Sequence, residues 1–194
     1  MGRKLEFDRD RAIHRATRVF WKKGYTNASL RDLLRAMGIG EGSFYNTVKS
    51  KKQLFVECLK HYEETVDRKR LDAMLAQASV KKGVRAFFKT VLDTLDDPST
   101  PRLCLLAESL SGDVLRDRQL RQYVESTTRS SWRRLVERLE SAKKAGELAQ
   151  NFDSKLAADV LMTYLQGVFR MAQIVNNRRQ MERQTEKLLR ALGL

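Results

Sequence analysis

The stretch Ser29-Leu30-Arg31-Asp32-Leu33-Leu34-Arg35-Ala36-Met37-Gly38-Ile39-Gly40-Glu41-Gly42-Ser43-Phe44-Tyr45-Asn46-Thr47 carries two short helical patterns on either side of a glycine turn. Ser29 and Asp32 form a capping pair, each side chain placed to accept from the other residue's backbone N–H, with Asp in place of the usual Glu. Leu30, Leu33, Leu34 and Met37 share one helical face. Gly38-Ile39-Gly40 ends that helix, and a very short one is expected from Glu41 to about Thr47. Upstream, Asp8 is a suitable N-cap for a helix with Ala12, Ile13, Ala16, Val19 and Phe20 on its apolar stripe, and Gly24 closes it as a C′ glycine. Downstream, Ser50 with Gln53 opens a long helix to about residue 76 through Leu54, Phe55, Cys58, Leu59, Tyr62 and Val66. This order is a helix-turn-helix packed on a supporting helix. The turn is tight, so the last short helix projects from the body and can enter a major groove.

The rest of the chain is helical by pattern, and the fold class is all-α. Val84, Phe87, Phe88, Val91, Leu92 and Leu95 make a core-facing stripe. A loop over 96–101 holds the only prolines, Pro98 and Pro101, and a short apolar helix follows over 102–111. A long polar helix spans about 117–145, with Tyr123, Trp132, Leu135, Val136 and Leu139 on its buried side. Asp153 caps a helix over about 154–175 that is apolar around much of its circumference, and an amphipathic helix runs from near Arg179 to Leu192. The run Arg68-Lys69-Arg70 reads as a solvated helix face.

Of the 194 residues, 42% are hydrophobic, enough for a packed core. No apolar run approaches the roughly 18–20 residues that span a bilayer. The opening Met-Gly-Arg-Lys-Leu-Glu-Phe-Asp lacks a signal peptide's apolar stretch. A cytoplasmic protein is expected. Cys58 and Cys104 lack metal-ligand spacing and read as small buried residues, so neither metal nor cofactor is expected. No Ser/His/Asp set, phosphate-cradling glycine loop or metal cluster supports an enzyme; His14 and His61 stand in no motif. The net charge of +14 is concentrated forward: residues 1–70 carry +8 and the other 124 carry +6. Such a balance points to a polyanion, without choosing between nucleic acid and a membrane surface.

Over Ala12 to Lys60 the chain resembles the tetracycline-repressor (TetR) family of bacterial transcription regulators. The matching residues are Phe20, Lys23-Gly24-Tyr25, Ser29-Leu30-Arg31-Asp32, Gly38-Ile39, Gly42-Ser43-Phe44-Tyr45 and Ser50-Lys51 before Leu54. Ala145-Gly146-Glu147-Leu148, followed by two apolar helices with Gly167 in the first, is similar to the family's dimerisation end. The resemblance implies a homodimeric repressor on a palindromic double-stranded operator, released when a small-molecule effector enters the larger domain. The DNA-binding domain would be residues 1–52, and the ligand-binding and dimerisation domain 53–194. By position, Ser29 and Arg31 would contact DNA from the second helix, and Lys51 would contact a phosphate. Glu41, Ser43, Tyr45, Asn46 and Thr47 would occupy the recognition helix. The chemistry is coherent: hydroxyls reach phosphates or base edges, Asn46 can read adenine, and Phe44 anchors the helix to the core. Glu41 could accept from cytosine N4 or point at solvent. Gly40 stands where the family places a Ser or Thr cap, and Thr47 replaces a common His.

Candidate residues for an apolar effector pocket are Phe88, Tyr123, Trp132, Met162, Tyr164 and Phe169. Candidates for a dimer bundle are Leu161, Leu165, Val168, Phe169, Leu188 and Leu189, with Gly167 permitting close backbone approach. The competing function is a helix-turn-helix architectural or recruiting protein without an inducer. A membrane-surface protein is a weaker reading, because no segment joins a basic face to a strong aromatic one.

Overall fold

In a computed structural model that describes residues 8–110 and 112–194, every regular element is helical. The reading of the N-terminal stretch concerns residues 1–7, outside the described residues. Asp8 accepts from the Arg11 N–H at 3.0 Å and starts α1 (Arg9–Asn27). Gly24 interrupts that helix with φ 72° and ψ 173°, a conformation open to glycine. Beyond it, Tyr25 stacks on Phe20 and packs against Phe55. Ser29 and Asp32 form the reciprocal cap that opens α2 (Leu30–Met37), and Gly38, left-handed at φ 72°, returns its N–H to the Leu34 carbonyl. Gly40 opens α3 (Glu41–Val48) with no side-chain cap. Ser50 caps α4 (Lys51–Tyr62), whose buried face of Leu54, Phe55, Cys58, Leu59 and Tyr62 lies against Ala12, Ala16 and Phe20 of α1.

The supporting helix does not stop at Tyr62. It passes through one π turn, Glu63–Asp67, in which the Arg68 N–H reaches the Glu63 carbonyl, and continues as α5 (Arg68–Leu75). α5 packs closely on α6 (Val80–Asp96). α6 is tied at its start by the Glu147 carboxylate, which accepts from the Val80 and Lys81 N–H groups and the Ser79 hydroxyl. The short apolar helix expected over 102–111 is only the four-residue α7 (Leu105–Glu108). It closes where the Ser109 hydroxyl donates back to the Leu105 carbonyl at 2.6 Å and the Leu110 N–H turns onto the Ala107 carbonyl. Then come α8 (Gly112–Arg116), α9 (Arg118–Lys144), α10 (Ser154–Ala172) and α11 (Arg178–Ala191), with Asp117, Asp153 and Asn177 as caps.

Two apolar clusters hold the molecule together. One joins α1 to α4 with the ends of α6, α9 and α10 and with α7; the other joins the start of α6 to the C-terminal half of α9, α10 and α11. Among the described residues, no helix is long and apolar enough to cross a membrane. The run Arg68-Lys69-Arg70 is not uniformly solvated: Arg70 is only 2% exposed. Its place four residues after Val66 and four before Met74 puts it on the inward stripe of the helix.

Candidate nucleic-acid interface and internal cavity

α3 is anchored by two side chains. Phe44 and Val48, one turn apart, are buried in the core, and every other position from Glu41 to Thr47 is at least partly turned to solvent. Glu41, Ser43, Tyr45 and Asn46 are exposed, Tyr45 by 48%, its ring set edge-on against Phe44. Thr47 donates its hydroxyl to the Ser43 carbonyl at 2.7 Å, which leaves its oxygen as an acceptor. The result is a short helix with a polar outer surface and a fixed inner one, the shape needed to reach into a groove. The turn after it carries Lys49 at φ 60°, a strained conformation for a side-chain-bearing residue that holds α3 and α4 at their angle.

Ser29 and Arg31 lie on the exposed side at the start of α2. The Ser29 hydroxyl donates to Asp32 at 2.7 Å, and Lys23 reaches the same carboxylate at 2.8 Å. Those two hydrogen bonds hold the Asp32 carboxyl well below the usual carboxylate range. Lys51 opens α4 half-buried. Its ammonium rests 4.7 Å from the Tyr25 ring centroid and 3.5 Å from the Thr26 carbonyl, and burial lowers its pKa. A phosphate approaching the N-terminus of α4 would have to draw Lys51 off that ring.

A cavity of about 610 Å³ lies behind α5, bounded by α6, α7, α9 and α10. Met74, Val84, Phe87, Phe88 and Leu135 form much of its apolar wall, and Glu63, Asp67 and Arg70 line its polar end. Of the expected pocket residues, Phe88 and Met162 line it. The other four are not among its lining residues, because each is engaged elsewhere. The Tyr123 hydroxyl donates to Glu63 at 2.8 Å, and the Trp132 Nε1–H donates to Asp159 at 2.7 Å, joining α9 to α10. Tyr164 bonds Thr185 at 2.9 Å across α10 and α11, and Phe169 is buried with the Arg70 guanidinium 5.1 Å from its ring centroid.

The expected bundle residues face inward as well. Leu161, Val168, Phe169 and Leu189 are buried within one protomer, while Leu165 and Leu188 are half-buried. Leu161 and Leu165 line the cavity. The outward stripe of α10 is the opposite one: Leu156, Thr163, Gly167 and Met171, continued by Ile174. A Cβ at Gly167 would meet open space.

Two features were missed by sequence reasoning. Arg70 was hidden in a basic run, although the four-residue spacing from Tyr62 through Val66 to Met74 was a usable signal. The second is a set of polar ties between the first helices and segment 97–117. The Trp21 Nε1–H donates to the Leu103 carbonyl at 2.6 Å, Arg18 to the Ser99 carbonyl at 2.5 Å, and Thr26 to Asp113 at 3.0 Å. Lys52 pairs with Asp117 at 3.0 Å. These partners are more than 60 positions apart, beyond any local pattern.

Comparison with known proteins bears on both regions. Residues 12–58 match the family described as bacterial regulatory proteins, tetR family, and residues 81–188 match the tetracyclin repressor-like C-terminal domain. The chain is 34% identical over 148 residues to an uncharacterized HTH-type transcriptional regulator, YezE of Bacillus subtilis (strain 168), covering 76% of each chain. It is 26% identical to the HTH-type transcriptional repressor ComR of Escherichia coli (strain K12), over 86% of this chain and 80% of ComR. Among solved structures, a cysteine-substituted form of the TetR family transcriptional regulator CifR, complexed with 26 bp double-strand operator DNA, superposes with a TM-score of 0.89. The two are 32% identical, covering 97% of this chain and 99% of that one.

Proposed function

This chain belongs to the tetracycline-repressor family of bacterial DNA-binding transcriptional regulators, and on that premise we propose that it is a homodimeric repressor released from a palindromic operator by a small apolar or amphiphilic effector. Repression is the role named for the relative ComR, and double-strand operator DNA is the partner named for CifR. The working compartment is the cytoplasm, where the operator lies. Residues 1–52 hold the DNA-binding surface and 53–194 the effector and dimer surfaces, with α4 running between them. Ser29, Arg31, Glu41, Ser43, Tyr45, Asn46, Thr47 and Lys51 are assigned to DNA, the phosphate contacts resting on Ser43, Tyr45 and Lys51.

One observation carries the reading: a single helical run, α4 through the π turn into α5, begins at the DNA-facing surface and ends in the wall of a 610 Å³ cavity. A π turn within a long helix is a frequent companion of functional sites. A ligand pressing on α5 and α7 would tilt α4 and change the separation of two α3 helices in a dimer. The ties from Trp21 and Thr26 to segment 97–117 offer a second route for the same displacement. Operator and effector would then weaken each other's binding by the same factor. A cavity of this size favours an inducible repressor over an architectural protein without a ligand.

The DNA assignment is tested by fluorescence anisotropy on the native operator. Tyr45→Ala and Lys51→Ala are each expected to weaken binding about tenfold or more. Lys51→Ala should act almost equally on unrelated sequences and make the salt dependence shallower by about one unit of slope. Wild-type affinity in both variants would refute the assignment.

A further inference from the structure

Arg70 is buried to 2% exposure at the polar end of the cavity, and its guanidinium is only half used. Nη1 donates to the Asp67 carboxylate at 2.7 Å and to the Tyr62 hydroxyl at 3.3 Å. Nε and Nη2 have no acceptor among the described residues. The guanidinium carbon lies 5.1 Å from the Phe169 ring centroid and 6.0 Å from that of Tyr62, within cation–π reach of both. Burial opposes its charge, but Tyr62 and Asp67 more than offset this, and the guanidinium pKa is raised. A permanently charged fork therefore keeps two unmatched N–H donors along one edge, both packed out of contact with solvent, in the wall of a mostly apolar cavity, so a head group reaches them only by displacing the side chains that cover them.

Two of the three carboxylates that line the cavity, Glu63 and Asp67, are already committed. Glu63 accepts from Tyr123 at 2.8 Å and from Thr127 at 3.4 Å, and Asp67 takes the far side of Arg70. Three acidic and three basic side chains line the cavity, so its total charge selects nothing. The hydrogen-bond demand does select. Two adjacent N–H groups of one guanidinium are matched by the two oxygens of a carboxylate, and only half matched by an ester, alcohol or amide. An ammonium head has no acceptor at all.

Resting on the reading of this cavity as the effector site, we propose that it takes an amphiphilic monocarboxylate: the head bidentate on the Nε–Nη2 edge of Arg70, the apolar body along Phe88, Val84 and Leu165. Arg70 stands in the first turn after the π segment, so a head group drawn to it acts on the helix that leads back to the DNA surface. The affinity that identifies the ligand and the force that moves the helix then fall on one residue.

The test uses the full chain and four probes with one tail: decanoate, methyl decanoate, 1-decanol and decylammonium. Binding is measured by calorimetry, and operator affinity by anisotropy in parallel. Decanoate is expected to bind at least tenfold more tightly than the other three. In Arg70→Met combined with Asp67→Asn, which leaves neither charge buried alone, the four should bind within about twofold of one another. Phe88→Ala should weaken all four alike and keep the preference for the acid. Equal binding of acid and ester to the wild type, binding of none, or an acid preference that survives in the folded double variant overturns the proposal. If the double variant does not fold, the wild-type series with Phe88→Ala still decides. Acid binding that needs Arg70 yet leaves operator affinity unchanged upholds the anchor and sinks effector release. Release by the ester or ammonium without acid preference does the reverse.

Discussion

At Cys58 a thiol donates to the Ile13 carbonyl at 3.8 Å between α1 and α4, and burial pushes its pKa up to about 12. The thiolate is the reactive form, so at pH 9 this site carries about a thousandth of its sulfur as thiolate, against most of it for an ordinary exposed cysteine. In a Cys104→Ser background, labelling of Cys58 by a soluble disulfide reagent at pH 9 is expected to be at least about a hundredfold slower in the folded protein than after unfolding. Native labelling at pH 9 within tenfold of the unfolded rate would contradict the burial. The sign for stability follows. The folded-state pKa lies above the unfolded one, so the unfolded chain loses its proton first and stability falls as pH climbs past about 9. At this scale the sequence was readable where one local rule applied. Phe44, expected to anchor the short helix to the core, is fully buried there, whereas Val48, one turn on and also core, lies past the end expected for that helix. Arg70 shows two rules at odds: the spacing from Tyr62 and Val66 to Met74 places it inward, while the basic tripeptide points outward, and Phe169, far along the chain, completes its surroundings.

Helix ends were legible because capping chemistry is local. Asp8, Ser29, Ser50 and Asp153 all cap as their side chains suggest. The π turn and the four-residue α7 were not legible. Glu63-Glu64-Thr65-Val66-Asp67 contains neither glycine nor proline, and the contacts made to it from afar, the Tyr123 and Thr127 hydroxyls of α9 on Glu63, lie outside any local pattern. One close helix contact depends on an absent side chain. A Cβ at Gly83 would lie 2.7 Å from the Met74 carbonyl oxygen, so α5 and α6 can approach only with glycine there. Gly83→Ala would gain about 1 kcal/mol in helix propensity but force the helices apart at an overpacking cost of about 1–3 kcal/mol. A net loss of about 1 kcal/mol is expected, read as a lower urea midpoint at unchanged slope. Because Met74, Val84 and Phe87 are cavity wall, the same variant should also change effector affinity. A stabilised Gly83→Ala protein would show that the contact is looser than described.

At the scale of the whole molecule, α10 shows what one sequence leaves open. A core, a cavity and a partner surface all call for apolar side chains, so a helix apolar around its circumference does not say which stripe meets which neighbour. The inward stripe of Leu161, Leu165 and Val168 serves core and cavity, and the outward stripe runs through Leu156, Thr163, Gly167, Met171 and Ile174. Ile174 is 75% exposed, an unusual loss for a large aliphatic residue on a monomer, and Thr163 and Gly167 leave the middle of the stripe low enough for a second helix to approach. In the homodimer proposed above, the two-fold contact would fall on this outward stripe. Met171→Glu with Ile174→Glu would set carboxylates against their own copies across the axis without touching the core. Sedimentation at micromolar concentration should shift from dimer to folded monomer, with the melting curve of the monomer still cooperative. Operator affinity should fall by about a hundredfold or more, because two linked half-site contacts become separate encounters. Leu161→Ala should behave in the opposite sense, lowering the melting temperature by a cavity cost of about 2–5 kcal/mol while the protein remains dimeric. If the glutamate pair left the dimer intact and Leu161→Ala dissolved it, the inward stripe would be the interface after all.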